Sequence, residues 1–199
     1  SHPCRSQVRI MEKKHIDENF ALPMPVVLVG AQVGGKANFM AAGWCTRANG
    51  NPPMVLCAIG KTHHTHEGIT ETGTFSVNVP STASVAKTDY CGMVSGAAAD
   101  KSGIFEVFYG NLRTAPMIRE CPVNLECHVV ETVPLPTHTL FIGEIVAAYA
   151  DENVIVGGKT DYAAIDPLLL TMPDNRYRRL GESVASAWSA GKGLVHQPK

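Results

Sequence analysis

Short apolar and β-branched runs, each closed by glycine, proline or asparagine, set the pattern of this chain and predict strands. Residues 26–32 form the first such run, Gly34-Gly35 is a hairpin-turn pair, and residues 36–47 return as a second strand, opening a β-meander. Residues 54–59 are almost entirely apolar, which predicts a third strand buried on both faces, as in the wall of a barrel. A short helix is predicted next, with Thr62 as its N-cap and Gly73 just past its C-terminus. Residues 74–79 read as a strand and 81–90 as a short helix. A loop rich in Gly, Ala and Ser follows over residues 92–103 and carries Lys101. Two long strands follow at 123–133 and 139–149, the second with Phe141, Gly143, Ile145 and Ala147 on one face. The proline-rich turn between them holds His138 at a rim. Beyond Asp151 the pattern weakens into loops, and residues 177–188 read as a terminal strand or helix.

Polar side chains interrupt this pattern where a packed core has no use for them. Asn38 and Trp44 are an even number of residues apart, so on one regular strand they share a face. An amide beside a flat ring suits a planar ligand with polar edges; a Trp packed in the wall and an Asn closing the turn is the alternative. Lys61, Thr62 and Thr65 surround the start of the predicted helix, whose first amides have no partner within it. That is an anion site, or ordinary capping. Lys101 reads either as a phosphate-neutralising point charge or as a solvated loop residue. Of His63, His64 and His66, the first and last could share a helix face, but no third ligand stands at a zinc-site spacing, so no native metal is expected. Gly34-Gly35-Lys36 lacks the spacing of a phosphate loop. No Gly-x-Ser-x-Gly elbow and no Gly-x-Gly-x-x-Gly dinucleotide fingerprint occurs.

Composition narrows the reading. A chain of 199 residues suits one domain, taken as 11–199; residues 1–10 are read as a leader because Met11-Glu12-Lys13-Lys14 makes a natural start. A formal charge of −1 gives no basic excess for nucleic acid, and the apolar runs are too short to cross a bilayer. A cytoplasmic protein is the expectation. The six cysteines include no Cys-x-x-Cys and lie in apolar segments, so buried free thiols are expected and any electron chemistry calls for a bound cofactor.

Several blocks then align in order: Pro52-Pro53-Met54, Gly73-Thr74-Phe75-Ser76-Val77-Asn78, Asp89-Tyr90-Cys91-Gly92, Ala115-Pro116, Pro122-Val123-Asn124-Leu125-Glu126 and Phe141-Ile142-Gly143-Glu144. With the segment from Asn38 to Trp44, they resemble the flavin reductase-like family of FMN-binding split barrels, and its flavoredoxin branch in particular. The resemblance runs from about residue 25 to about residue 180. It implies a mainly β fold with short helices, a split β-barrel, and a homodimer that binds FMN. It implies electron transfer from a reduced nicotinamide or a protein carrier to flavin, ferric iron or a redox partner. Asn38 and Trp44 then belong near the ring and ribityl chain, Lys61, Thr62, Thr65 and Lys101 near the phosphate, and Thr46 and Arg47 are further cofactor contacts. His138 is a supporting contact, and Tyr177 is the aromatic residue the family draws from the C-terminal region. The chain departs from the family in its Ala48-Asn49-Gly50-Asn51 turn, where Ser and Asp are commoner. A non-catalytic FMN store or sensor, and a pyridoxamine-phosphate-oxidase-like enzyme, are the competing readings.

Overall fold

Gly34 and Gly35 adopt φ of +55° and +78°, the two successive positive values that a tight hairpin turn requires and that glycine reaches without strain. They join β1 (Val27–Val33) to β2 (Lys36–Ala42), as the sequence predicts. The structure, a computed structural model, describes residues 11–194; the proposed leader lies outside the described residues.

The predicted second strand is two strands. It breaks at Gly43-Trp44 into β2 and β3 (Cys45–Asn49), followed by β4 (Met54–Gly60), α1 (His64–Thr72), β5 (Thr74–Val79), α2 (Val85–Met93), β6 (Val123–Pro134) and β7 (His138–Ala150). The strands form one antiparallel sheet in the order β2-β1-β5-β6-β7-β4-β3, so β2 and β3, neighbours in sequence, are its opposite edges. Laid flat, six gaps of about 4.8 Å would put those edges about 29 Å apart. The Gly43-Trp44 link offers three Cα steps of about 3.8 Å each, at most about 11 Å. The sheet must therefore curl until its edges approach, and because β2 and β3 are not paired with each other, the barrel stays split. Gly43 lets the Met24 side chain close on the corner: a Cβ there would meet Met24 Sδ and make that side chain shift.

Burial follows the curl. Val29, Ile59, Phe75, Val77 and Phe141 fill the interior, with Ile69 of α1 closing one end. On the outer side Leu28 and Phe39 pack against Cys91 of α2, Phe105 and Ile118. β1 and β5 are thus buried on both faces. The prediction gave that place to residues 54–59, but β4 alternates, with Val55, Cys57 and Ile59 buried and Met54, Leu56 and Ala58 half-buried. Leu56 and Ala58, on its outer face, line a groove with residues 19–25.

A single turn at Thr82–Ser84 leads into α2, which runs to Met93. The segment from Val107 to Ile118 is held down by buried polar groups. Glu126 accepts from the amides of Asn111 (2.9 Å) and Leu112 (2.8 Å) and from the Tyr149 hydroxyl (2.6 Å). Asn78 Oδ1 accepts from the Ile118 amide at 3.0 Å. Near the C-terminus Leu169–Thr171 and Arg176–Arg178 are strands; they form a hairpin that pairs with Met24–Pro25, and residues 179–194 are loop and turn. Among the described residues, no helix is long and apolar enough to cross a membrane.

Candidate functional site

The start of α1 carries the clearest polar geometry. His63, not Thr62, is its N-cap, with φ −75° and ψ 139° and no side-chain capping bond. The His63 amide bonds Gly60 O at 3.0 Å, so a turn over 60–63 occupies the position the sequence suggested for the cap. The other end is as predicted: Gly73, at φ +69°, returns its amide to Ile69 O at 2.8 Å. In the first turn Thr65 is buried, and its Oγ1 accepts from Asn38 Nδ2 on β2 at 2.7 Å. Two predicted site residues 27 positions apart therefore meet.

The loop after α2 crosses this pair. Lys101 is buried and donates to Val94 O at 2.8 Å and Cys91 O at 3.4 Å, the carbonyls at the end of α2. Burial pulls its pKa below the ordinary lysine value, with the Cys91 thiol opposing. Gly96 is the point of closest passage, since a Cβ there would lie 2.0 Å from Asn38 Oδ1. Between loop, α1 and β2 runs a cleft with two adjoining lobes of about 300 and 280 Å³. Lys36, Asn38, His64 and Lys101 line the first; Thr62, Thr65, Ser95 and Lys101 line the second. His64, Ser95 and Gly96 were not singled out as ligand-site residues; the Gly-rich composition of residues 92–103 was the available signal.

Trp44 does not share β2 with Asn38. The parity argument ends where the strand does, at Ala42, and Trp44 occupies the corner, exposed, with its ring 4.8 Å from that of His138 and tilted by 42°. His138 Nδ1 shares a hydrogen bond of 2.8 Å with Thr137 Oγ1, and Lys61 is tied to the same turn through its amide on Thr137 O at 3.0 Å. Burial, then the nearby His138 and Lys101, lower the His63 pKa. Burial and Lys61 lower that of His66. The imidazoles of α1 turn to different neighbours: His64 to Glu67 at 3.4 Å, His66 to Thr139 Oγ1 at 2.8 Å and to the Phe141 ring. No group of three His, Cys, Asp or Glu among the described residues could hold a metal ion.

The remaining predicted residues lie elsewhere. Thr46 lines an apolar groove of about 610 Å³ with Phe20, Leu22, Trp44 and Leu56. Arg47 folds back on its own hairpin, donating to Asn49 O at 2.7 Å and Gly50 O at 3.4 Å. Tyr177 is not brought to the cleft: it lines a separate groove with Thr82, Val85 and Leu168, and its hydroxyl donates to Asp89 Oδ1 at 2.7 Å. Its place is set by the C-terminal hairpin, which no local pattern announced.

Comparison with known proteins places these features in a family. Residues 20–181 match the family model described as "Flavin reductase like domain". Flavoredoxin from Methanosarcina acetivorans is 56% identical, with a TM-score of 0.91 over 93% of this chain and 100% of that one. Flavoredoxin of Desulfovibrio vulgaris (Miyazaki F) is 33% identical, with a TM-score of 0.85 over 92% and 100%. An NADH-dependent FAD reductase of Streptomyces globisporus is 26% identical over 69% of this chain and 75% of its own length.

Proposed function

From the premise that this chain belongs to the flavin reductase-like family, in its flavoredoxin branch, we propose that it binds FMN in the cleft between β2, α1 and the loop after α2. The bound flavin would carry the electrons, accepting them from a reduced nicotinamide or a protein carrier and passing them to free flavin, ferric iron or a redox partner. Support for a reductase comes from the named relatives; support for the position comes from the residues.

The observation that carries the reading is the buried Asn38–Thr65 hydrogen bond at the start of α1, with the Lys101 ammonium in the cleft wall beside it. The His66 amide bonds His63 O at 3.0 Å, but the first two amides of α1, those of His64 and Thr65, have no carbonyl within the helix to bond, and with the Thr62 and Thr65 hydroxyls they offer donors to a phosphate. Lys101 supplies a positive charge that burial keeps poorly screened. These groups suit a monophosphate. Trp44 and His138 present ring faces at the rim, and the lowered pKa of His63 keeps its imidazole uncharged beside them at neutral pH. Such a surface suits a flat heterocycle better than an anion. No side chain is needed as acid or base; the chain orients, holds and screens.

A second copy of the chain completes the proposal. Val130, Val133 and Leu135 leave apolar surface exposed along the end of β6 and the turn after it, and a homodimer would cover it.

Extraction and chromatography of the pigment from purified protein test the reading, together with titration of apo-protein with FMN, FAD and riboflavin. FMN should be recovered and should bind tightest. Recovery of FAD or haem, or apo-protein that takes up no FMN, overturns it. Anaerobic bleaching by NADH or NADPH then separates a reductase from a store or sensor.

A further inference from the structure

Two thiols face each other across β3 and β4. Cys45 and Cys57 are direct partners in the antiparallel register, and their sulfurs are 2.8 Å apart. The Ala58 amide bonds Trp44 O at 2.9 Å, making the residues next to them a hydrogen-bonded pair. Cys45 and Cys57 thus occupy the alternate, non-hydrogen-bonded position, where facing side chains come closest. We propose that Cys45 and Cys57 are a redox modification site, closed to a cross-strand disulfide by a hydroperoxide and reopened by a dithiol.

The two cysteines differ in burial, which decides which of them meets the oxidant first. Cys57 is fully buried in the barrel interior, while Cys45, packed against the same interior cluster, is half-buried. The hydrogen bond it shares with Cys45, and then burial, push the Cys57 thiol well above the ordinary value, so Cys57 stays protonated. Cys45 is the thiol a small peroxide can reach. Its thiolate attacks one peroxide oxygen, the O–O bond breaks, and a sulfenic acid forms on Cys45 with release of water or an alcohol. The Cys57 sulfur then attacks the Cys45 sulfur, the S–O bond breaks, and the departing hydroxyl leaves as water with the Cys57 proton. Two electrons pass from the two thiols to one peroxide, so the step balances without a further reagent. Adjustment to the disulfide falls on β3, the edge strand, whose outer side has no ladder partner and whose pairing with β4 already shifts register between Arg47 and Asn49. The core strand need not move.

The other buried thiols lack this arrangement. Cys127 is buried and interacts electrostatically with both Cys45 and Cys57, but it sits on β6, and no sulfur contact of its own accompanies that proximity. It is the built-in competitor.

Trypsin makes the test direct, because it cuts after Lys36, Arg47 and Lys61 and so separates the two cysteines. Purified protein is treated with one equivalent of hydrogen peroxide, denatured in N-ethylmaleimide, digested and analysed by mass spectrometry. The expected product links the peptides containing Cys45 and Cys57, is two hydrogens lighter than the reduced pair, and disappears with dithiothreitol. In Cys57→Ser the sulfenic acid on Cys45 should persist and be trapped by dimedone. A bridge from Cys57 to Cys127, or a Cys57 that keeps its maleimide label while Cys45 passes to the sulfinic acid, overturns the proposal. The wild-type digest decides even if the variant does not fold. The outcome is independent of whether a flavin is bound.

Discussion

Lys101 serves the cleft and the fold at once. Its ammonium holds the carbonyls of Cys91 and Val94, so removing it loosens the end of α2 as well as taking a charge from the cleft wall. Lys101→Met keeps most of the volume, and Thr65→Ala removes the acceptor of Asn38; each should weaken FMN binding by about 1–3 kcal/mol. Riboflavin, which lacks the phosphate, should lose far less, and comparing the two ligands by fluorescence titration separates a phosphate contact from a general loosening of the loop. Equal losses would place both residues away from the phosphate. His63 and His66 bear on acid stability. Their folded pKa values lie below the ordinary 6.5, so the unfolded chain takes up protons first as pH falls. The stability they contribute is complete above about 6.5 and declines as pH drops from there through the folded values. Thermal melts between about pH 7.5 and 5 should show a shallower acid slope for His63→Gln/His66→Gln than for the parent. An unchanged slope would assign the acid loss to other groups.

At the scale of elements, Glu126 shows how a strand positions a loop. Three donors converge on its buried carboxylate, two of them backbone amides from residues 111 and 112. Glu126→Ala leaves all three without an acceptor and should destabilise the protein by at least about 3 kcal/mol, read from urea unfolding. Tyr149→Phe removes one donor and should cost about 1–2 kcal/mol. Gly-Gly, β-branched runs and Gly73 made the strands and the end of α1 legible, because each acts through its own backbone preference. The corner at Gly43-Trp44 was not, since it lies inside a run that stays apolar on both sides and its cause, the approach of Met24, is distant in sequence. Thr62 was a reasonable cap by residue type, but the turn to Gly60 O decided where the helix begins. Among the site residues, the types at 38, 65 and 101 were suggestive in the sequence; that Asn38 bonds Thr65 is a fact of tertiary packing that no spacing contains.

For the molecule as a whole, light scattering over a dilution series should report a dimer at concentrations where FMN stays bound. A compact monomer that retains FMN would contradict the proposed pairing. The two-residue corner has a further consequence, because it makes the two edges of the sheet dependent on each other. Met24–Pro25 pairs with Leu169–Leu170, which brings a segment before the large sheet beside one that follows it, so the chain could be closed into a circle by a linker between its ends. Opening such a circular permutant between Gly34 and Gly35 would sever only a hairpin turn and leave every strand with its partners. Opening it between Gly43 and Trp44 would also break no ladder, yet it would release the strap that draws β2 toward β3 and holds the Trp44 ring beside His138. The first permutant should keep flavin affinity and the second should lose it while remaining folded. The curl of the barrel, and with it the geometry of the cleft, would then be traced to a single peptide link.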